Sequence, residues 1–451
     1  MATVETERAT MGRHERFADV EDLIQDGRVH KSVYVDPAIF EREIELIFGR
    51  AWLYLGHESQ IPVPGSFITT RMGRQPVIMV RQHDGTIAAL FNRCSHRGAK
   101  LCTDEGGQVK RFVCCYHGWA YEIDGALAEV PLPDGYPANY VKGSALDLVR
   151  LPRVASYRGF VFASLVPEGP SLTDFLDYMA TSIDDLVDRS PTAEVVVAGG
   201  VSKHAYNANW KLVIENHNDT LHPRFVHASS IAAARDQDDQ VHSDGAGEIA
   251  IRQMRQNGAP TQVWEDLGIW TSRYGHSFMG DYHSDRTLLV QTDDPVQSEY
   301  RALLESRVGR ARAADILSVN RFNSIIYPNL SFMSRFRQLR VVHPVAVDRT
   351  ELHTYTFRMV GAPEQMFRDS IAFANTVNGV GSLVLTDDLE TYERVQAGLD
   401  AEGGEWVDAA RGLGGDVAEA NGTLRGSTGT SEINLRNQFA AWRRYMTGAA
   451  F

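Results

Sequence analysis

The sequence predicts an α+β protein in two main parts: a small antiparallel β domain, then a larger domain that mixes helices and strands. Three observations carry this. Short β-rich runs joined by Asp-Gly turns fill residues 51–165, a helix precedes them and helices alternate with strands after them, and each part contains its own cluster of metal-ligand side chains. The chain has 451 residues, 43% hydrophobic and 23% charged, which is ordinary globular composition and enough length for two or three domains. The net charge of −13 argues against a nucleic acid or an anionic membrane surface as partner. No apolar run approaches the roughly 18 residues that a membrane-spanning helix needs, and the polar N-terminus lacks the apolar core of a secretion signal.

Along the chain, residues 1–35 are polar and the first of them are expected to be loosely ordered. Asp36-Pro37 opens a helix, with an acid at the N-cap and proline in the first turn; Ile39, Phe40, Ile44, Ile47 and Phe48 follow at helical spacing up to Gly49. The β part then shows two hairpins. Pro76 to Val80 and Thr86 to Phe91 flank Asp84-Gly85, while Tyr121 to Ile123 and Ala126-Leu127 flank Asp124-Gly125; Gly159 to Ala163 closes the set. Glu168-Gly169-Pro170 marks a boundary, so the segments are 1–40, 41–170 and 171–451. Ser171 caps a helix expected to run to about Val187. Residues 331–357 are expected to form two or three strands, and 364–374, 389–399 and 433–446 helices. Residues 228–260 lack periodicity and suggest a mobile insertion.

The first ligand cluster is Cys94-Ser95-His96 followed, after seventeen residues, by Cys114-Cys115-Tyr116-His117. Two thiolates on one iron and two imidazoles on the other make a Rieske [2Fe–2S] centre. Neutral imidazoles in place of two thiolates raise its potential to roughly −150 to +300 mV, against about −400 mV for an all-cysteine plant-type cluster. A structural zinc site is the other arrangement open to two Cys and two His, but zinc fingers usually pair Cys with Cys and His with His. Here each loop offers one of each, with Gly98 and Gly118 beside them. The remaining Cys102 and Cys115 fit small buried residues in a reduced, cytoplasmic protein, since the spacing of the disulfide-bearing respiratory Rieske proteins is absent.

The second cluster lies in Glu215-Asn216-His217-Asn218-Asp219-Thr220-Leu221-His222, followed by His227. Two imidazoles and a carboxylate on one face of a ferrous ion form the facial triad of non-haem oxygenases. His222 and His227 are the imidazole candidates; their spacing of five suits a helix that breaks at Pro223. The competing reading is that some of these histidines are ordinary, and His217 is the candidate for that if Asp219, His222 and His227 are taken.

Together these windows resemble the large (α) subunit of the Rieske non-haem iron aromatic-ring-hydroxylating oxygenases, over nearly the whole length. The resemblance implies a catalytic domain with an antiparallel sheet covered by helices. It implies that Cys94, His96, Cys114 and His117 hold the cluster, and that His222, His227 and an Asp from Leu385-Thr386-Asp387-Asp388 hold a mononuclear Fe(II). The second Asp of that pair, Asp388, matches the ligand; Asp387 would support it or cap the helix. Asp219 would not bind metal but bridge His222 to the partner subunit's His117, in an α3 or α3β3 ring. Asn216 and His217 fall where the family lines its substrate pocket, and a polar group there hints at a polar substrate; Leu221 replaces the usual Tyr. The implied reaction is cis-dihydroxylation of an aromatic compound with O2, using electrons from NADH through a reductase or ferredoxin. The segment from Thr430 to Met446 looks more like α subunits that pair with a small β subunit, many of which act on aromatic carboxylates. A Rieske monooxygenase would use the same ligands. A simple Rieske electron carrier would not need the residues after 170.

Prepared without oxygen, the protein should be brown-red and contain iron and acid-labile sulfide. Colourless protein containing zinc alone would overturn the cluster assignment.

Overall fold

The computed structural model describes residues 20–140, 143–236, 246–280, 294–319, 321–382 and 384–449. The expected disorder of the first residues lies outside these.

The β part follows its turn chemistry. Ser66–Met72, Gln75–Arg81, Ile87–Phe91 and Gly106–Gln108 form one antiparallel sheet, with Asp84 accepting from the amide of Thr86 at 2.9 Å to close the first hairpin. Arg111–Val113, Ala120–Glu122 and Leu127–Glu129 form a second, and Asp124 closes its turn on Ala126 at 2.9 Å. These two sheets share a small core of their own, around Ile78, Leu90, Phe112, Trp119 and Tyr121. A third sheet, Leu53–His57 with Arg153–Tyr157 and Phe160–Ser164, packs instead into the main core with the rest of the chain.

The larger part is built on a nine-stranded, fully antiparallel sheet. Val195–Tyr206 lies at one edge, followed in space by Arg349–Met359, Gln338–Ala346, Leu330–Met333, Arg321–Ile326, Ser277–Gly280 and Gly268–Thr271, with Leu424–Arg425 and Val417–Ala418 beyond. Residues 331–357 thus supply three strands, as expected. Ile24–Gln25 pairs with Arg28–His30, which pairs in turn with Trp406–Asp408, so a segment near residue 25 is joined to one near residue 407.

Several helices form as their sequence signals require. Asp36 caps Pro37–Leu46 by accepting from the Ala38 amide at 2.7 Å, and Ser171 caps Leu172–Leu176 through the Asp174 amide at 3.1 Å. That second helix does not run on to Val187. It breaks at Asp177, where φ is +48°, and resumes as Ala180–Asp188. The expected helices at 364–374, 389–399 and 433–446 are Glu364–Val377, Leu385–Leu399 and Ile433–Thr447.

Two expectations are corrected. Much of 228–260 is helical, as Ala228–Asp236 and Ala246–Asn257. Ala234 and Met254 pack with Phe373 and Val377, so a tertiary partner and strong alanine propensity make helices where periodicity was weak. Residues 237–245 lie outside the described residues. Cys115 is exposed rather than buried, and Cys102 is half-buried. Burial, with Asp104 nearby, pushes the Cys102 thiol up to about 11, so it stays protonated near neutrality.

One buried carboxylate clamps the helices behind the catalytic part. Glu43 accepts from Lys211 Nζ at 2.7 Å, Trp210 Nε1 at 2.8 Å and Trp442 Nε1 at 2.6 Å, and the Glu43 and Lys211 side chains are 0% exposed. Glu43→Ala would leave a buried ammonium and two indole N–H groups without their acceptor. It should destabilise the protein by about 3–5 kcal/mol in denaturant melts, whereas exposed Glu390→Ala should change little.

Candidate metal centres and catalytic pocket

The first centre rests on two loops that fold alike. Cys94 N donates to Ala99 O at 2.8 Å and Gly98 N to Cys94 O at 2.9 Å; Cys114 N donates to Trp119 O at 2.8 Å and Gly118 N to Cys114 O at 3.0 Å. Each loop therefore begins at its cysteine and closes through a glycine, at φ +78° for Gly98 and +70° for Gly118, a region that side chains with a Cβ rarely adopt. One loop follows the strand Ile87–Phe91, and the other is the hairpin tip between Arg111–Val113 and Ala120–Glu122.

The closures bring the four predicted side chains together. Both thiols are buried, and the His96 and His117 ring centroids lie 4.6 Å apart. Trp119 stacks on His96 at 4.6 Å, and the Tyr121 hydroxyl lies 3.2 Å from Cys94 Sγ. Nδ1 of both histidines is buried with no hydrogen-bond partner among the described residues. Two buried thiols beside two orphaned imidazole nitrogens fit a Rieske cluster as a donor set.

The second centre forms where three elements meet. The helix Trp210–His217 ends at Asn218, and a turn follows in which Asp219 Oδ1 accepts from the Leu221 amide at 2.6 Å and the His222 amide at 3.2 Å. A short helix, His222–Val226, comes next with His227 as its C-cap. Proline therefore begins this helix rather than breaking one, because a residue in the first turn needs no amide hydrogen for an intrahelical bond. The third element is the start of Leu385–Leu399, which carries Asp387 and Asp388.

His222, His227 and Asp388 each offer a ligand atom, all within 4.8 Å of one another. Asp388 Oδ1 is 3.7 Å from His222 Nε2 and 3.5 Å from His227 Nε2. On the far side of each ring a carboxylate faces Nδ1: Asp219 Oδ2 at 3.7 Å from His222 and Asp387 Oδ2 at 3.4 Å from His227. A carboxylate facing Nδ1 favours the proton there and leaves the Nε2 lone pair free, the tautomer that a metal requires. Two nitrogens and one oxygen on one side thus fit a facial triad. Asp387 faces His227 and does not cap the helix; Ser382 Oγ accepts from the Leu385 amide at 3.0 Å instead. Asn216 Nδ2 sits between the ligand atoms, 3.1 Å from His222 Nε2 and 3.2 Å from Asp388 Oδ1. Burial works against the Asp219 carboxylate, but His222 and the two backbone amides outweigh it and hold the group below its usual range. About 42% of its side-chain surface remains exposed.

Asn216, Asp219, His222 and Asp388 line a cavity of about 750 Å³, counting the space at its mouth. One face of the nine-stranded sheet forms a wall, with His204, Leu352, Thr354, Arg340 and Asn323; Asn216, His217, Met254, Phe373 and Leu385 reach it from helices. His217 is buried, and burial followed by the charge of Arg340 holds its imidazole well below the usual range, hence neutral. Arg340 and Asn323 carried no local signal of this role. They sit on strands, and only the sheet register turns them inward.

Residues 182–448 match the model of the ring-hydroxylating α-subunit catalytic domain, and residues 51–153 match the Rieske [2Fe–2S] domain. The chain belongs to the ring-hydroxylating α-subunit family. It is similar to toluate 1,2-dioxygenase subunit alpha of Pseudomonas putida, at 34% identity over 89% of this chain and 87% of that one. It is also similar to the 2-halobenzoate 1,2-dioxygenase large subunit of Burkholderia cepacia, at 32% identity over 85% and 80%. Its fold matches the structure of naphthalene 1,2-dioxygenase with indole in the active site, with a TM-score of 0.80, 26% identity and coverage of 95% and 94%. This α subunit is therefore a Rieske non-haem iron oxygenase of the ring-hydroxylating family, whose cofactors are a [2Fe–2S] cluster and iron, with NADH serving through partner components. Among the described residues no helix is long and apolar enough to cross a membrane.

His222→Ala and Asp388→Ala should each lose the mononuclear iron while the reduced cluster keeps its EPR signal. Asp387→Asn should keep iron with about 10–100-fold lower affinity. A bleached cluster in His222→Ala, or a full iron complement in Asp388→Ala, would count against the ligand set.

Proposed function

We propose that this α subunit cis-dihydroxylates an aromatic carboxylate, with Cys94, His96, Cys114 and His117 holding the cluster and His222, His227 and Asp388 holding the mononuclear iron. The observation that carries this is the two-imidazole, one-carboxylate group at the wall of a largely apolar cavity. The substrate class is supported by the toluate and 2-halobenzoate relatives and by polar groups in the pocket. When bound, the cluster and the iron supply one-electron transfer and dioxygen activation.

The chain's own residues supply orientation and exclusion. Asp219 and Asp387 fix the two imidazoles by their Nδ1 atoms. Asn216 steadies the Asp388 oxygen. Apolar walls at Met254, Phe373 and Leu385 keep water from the reacting ring and leave the aromatic substrate as the favoured occupant.

Asp219 has a second part in this reading. Its carboxylate touches His222 yet reaches the surface, and His96 and His117 lie in a region bordered by exposed Val113 and Tyr116. We place the partner subunit's His117 against Asp219, in an α3 or α3β3 assembly with a small β subunit, in the bacterial cytoplasm. The partly exposed His96 and His117 would hold the cluster where a ferredoxin or reductase could dock and supply electrons.

Asp219→Ala should retain both metals while oxidation of the reduced cluster in a single turnover slows at least 100-fold. Normal turnover in this variant would refute the bridge. With 18O2, the wild-type product should carry two labelled oxygens; a single label would assign monooxygenation.

A further inference from the structure

The catalytic cavity contains a buried cation that the metal chemistry does not use. Arg340 lies on the strand Gln338–Ala346, in the middle of the nine-stranded sheet, and is 6% exposed. It is directly opposite Ser331 on one neighbouring strand and Thr354 on the other, and paired antiparallel residues share a face. That face is the cavity wall, which Arg340, Thr354, Asn323 and His217 line together with His222 and Asp388.

The hydrogen bonds of the guanidinium are incomplete. Nη2 donates to Asn323 Oδ1 at 2.6 Å and to Ser331 Oγ at 2.9 Å, and both acceptors are neutral. Nε is buried with no partner among the described residues. Arg340 makes no salt bridge among the described residues, where buried Lys211 pairs with Glu43 and buried Arg189 with Asp185. Burial lowers its guanidinium to about 10, opposed by Tyr392 and Asp388, so it remains charged at neutral pH. Asp388 is turned towards His222 and His227, and Asn216 already donates to it.

A charged, buried, unpaired guanidinium is costly unless something anionic completes it. Arg340 itself lines the substrate space. Asn323 is held in place, because its Nδ2 donates to the His217 carbonyl while its Oδ1 accepts from Arg340. The guanidinium is therefore fixed in position before any ligand arrives.

We propose that Arg340 receives the substrate's carboxylate through its unpaired donors, and so selects aromatic acids over neutral arenes and sets which ring edge faces His222 and Asp388. This rests on the aromatic-carboxylate reading above and assigns it to one residue. Nη2 already gives both its hydrogens to Asn323 and Ser331, so a carboxylate would take its charge-assisted hydrogen bond from Nη1. Anchoring at the sheet leaves the ring among Met254, Phe373 and Leu385. Substrates without an anionic group would leave the cation unpaired, a penalty that an arene's extra apolar contact does not offset.

The test uses the reconstituted oxygenase with its reductase, benzoate and toluene as probes, and equilibrium dialysis of labelled benzoate. Arg340→Met should weaken benzoate binding, raise its KM about 10–100-fold and lower the ratio of kcat/KM on benzoate to that on toluene. Arg340→Lys should recover part of the benzoate affinity. Thermal stability of Arg340→Met should be unchanged or higher, since an unpaired buried charge is removed. Unchanged benzoate affinity in Arg340→Met, or equal loss of activity on both probes with a lowered melting temperature, would overturn the role given to Arg340 while leaving the substrate class intact. A wild-type enzyme that oxidises toluene but neither binds nor oxidises benzoate would instead overturn the carboxylate reading itself.

Discussion

Glu43 receives one ammonium and two indole N–H groups in a place that water does not reach, and this carboxylate holds together the helices behind the iron site. It lies on Pro37–Leu46, and its partners lie on Trp210–His217 and Ile433–Thr447. The helix so fixed ends two residues before Asp219. A buried ion pair of this kind contributes little net stability compared with an apolar core of the same shape, but it permits only one arrangement of its donors. Neighbouring contacts extend the constraint. Asn209 caps the site helix, accepts with its side chain from Lys211, and donates to the carbonyls of Tyr34 and Val347. Its own amide donates to Gln396 on the helix that starts beside Asp388. The position of Asp388 relative to His222 is thus set by hydrogen bonds far from either.

Two supports of different kind hold the two metal-type centres. The cysteine–histidine loops are almost self-contained: adjacent strands, backbone closures and a glycine at positive φ place all four donors within one short stretch of chain. The second centre has no such local frame. Its histidines come from a turn and a short helix, its carboxylate from a helix more than 150 residues later, and each imidazole is steered by a different aspartate. Such a centre depends on packing, which is why it sits against the main core and the sheet. The exposed oxygen of Asp219 and the half-buried imidazoles of the cluster leave both centres open to a neighbouring molecule.

The pocket shows how one sheet face combines shape with charge. Leucine, methionine and phenylalanine side chains give it an aromatic-sized interior. Asn323, Thr354, His217 and Arg340 add a polar side, and burial keeps His217 neutral while leaving Arg340 charged. One wall is therefore cationic in a protein whose net charge is −13.

The order of elements and the donor types were legible from sequence by itself. Caps at Asp36 and Ser171, Asp-Gly hairpins and the Cys-His loops act over two to six residues, so local pattern carries them. The same holds for His222 and His227, which lie on one turn of chain. Tertiary structure decided what local pattern does not encode. It showed Pro223 beginning a helix, Asp387 steering His227 rather than capping, Cys115 facing outward, and helices in an alanine-rich stretch with weak periodicity. Above all it turned Arg340 inward. A strand specifies only that alternate residues share a face; which face meets the cavity is fixed by register against strands and helices distant in sequence. The chain's own spelling named the donors, and only folding brought them to their partners.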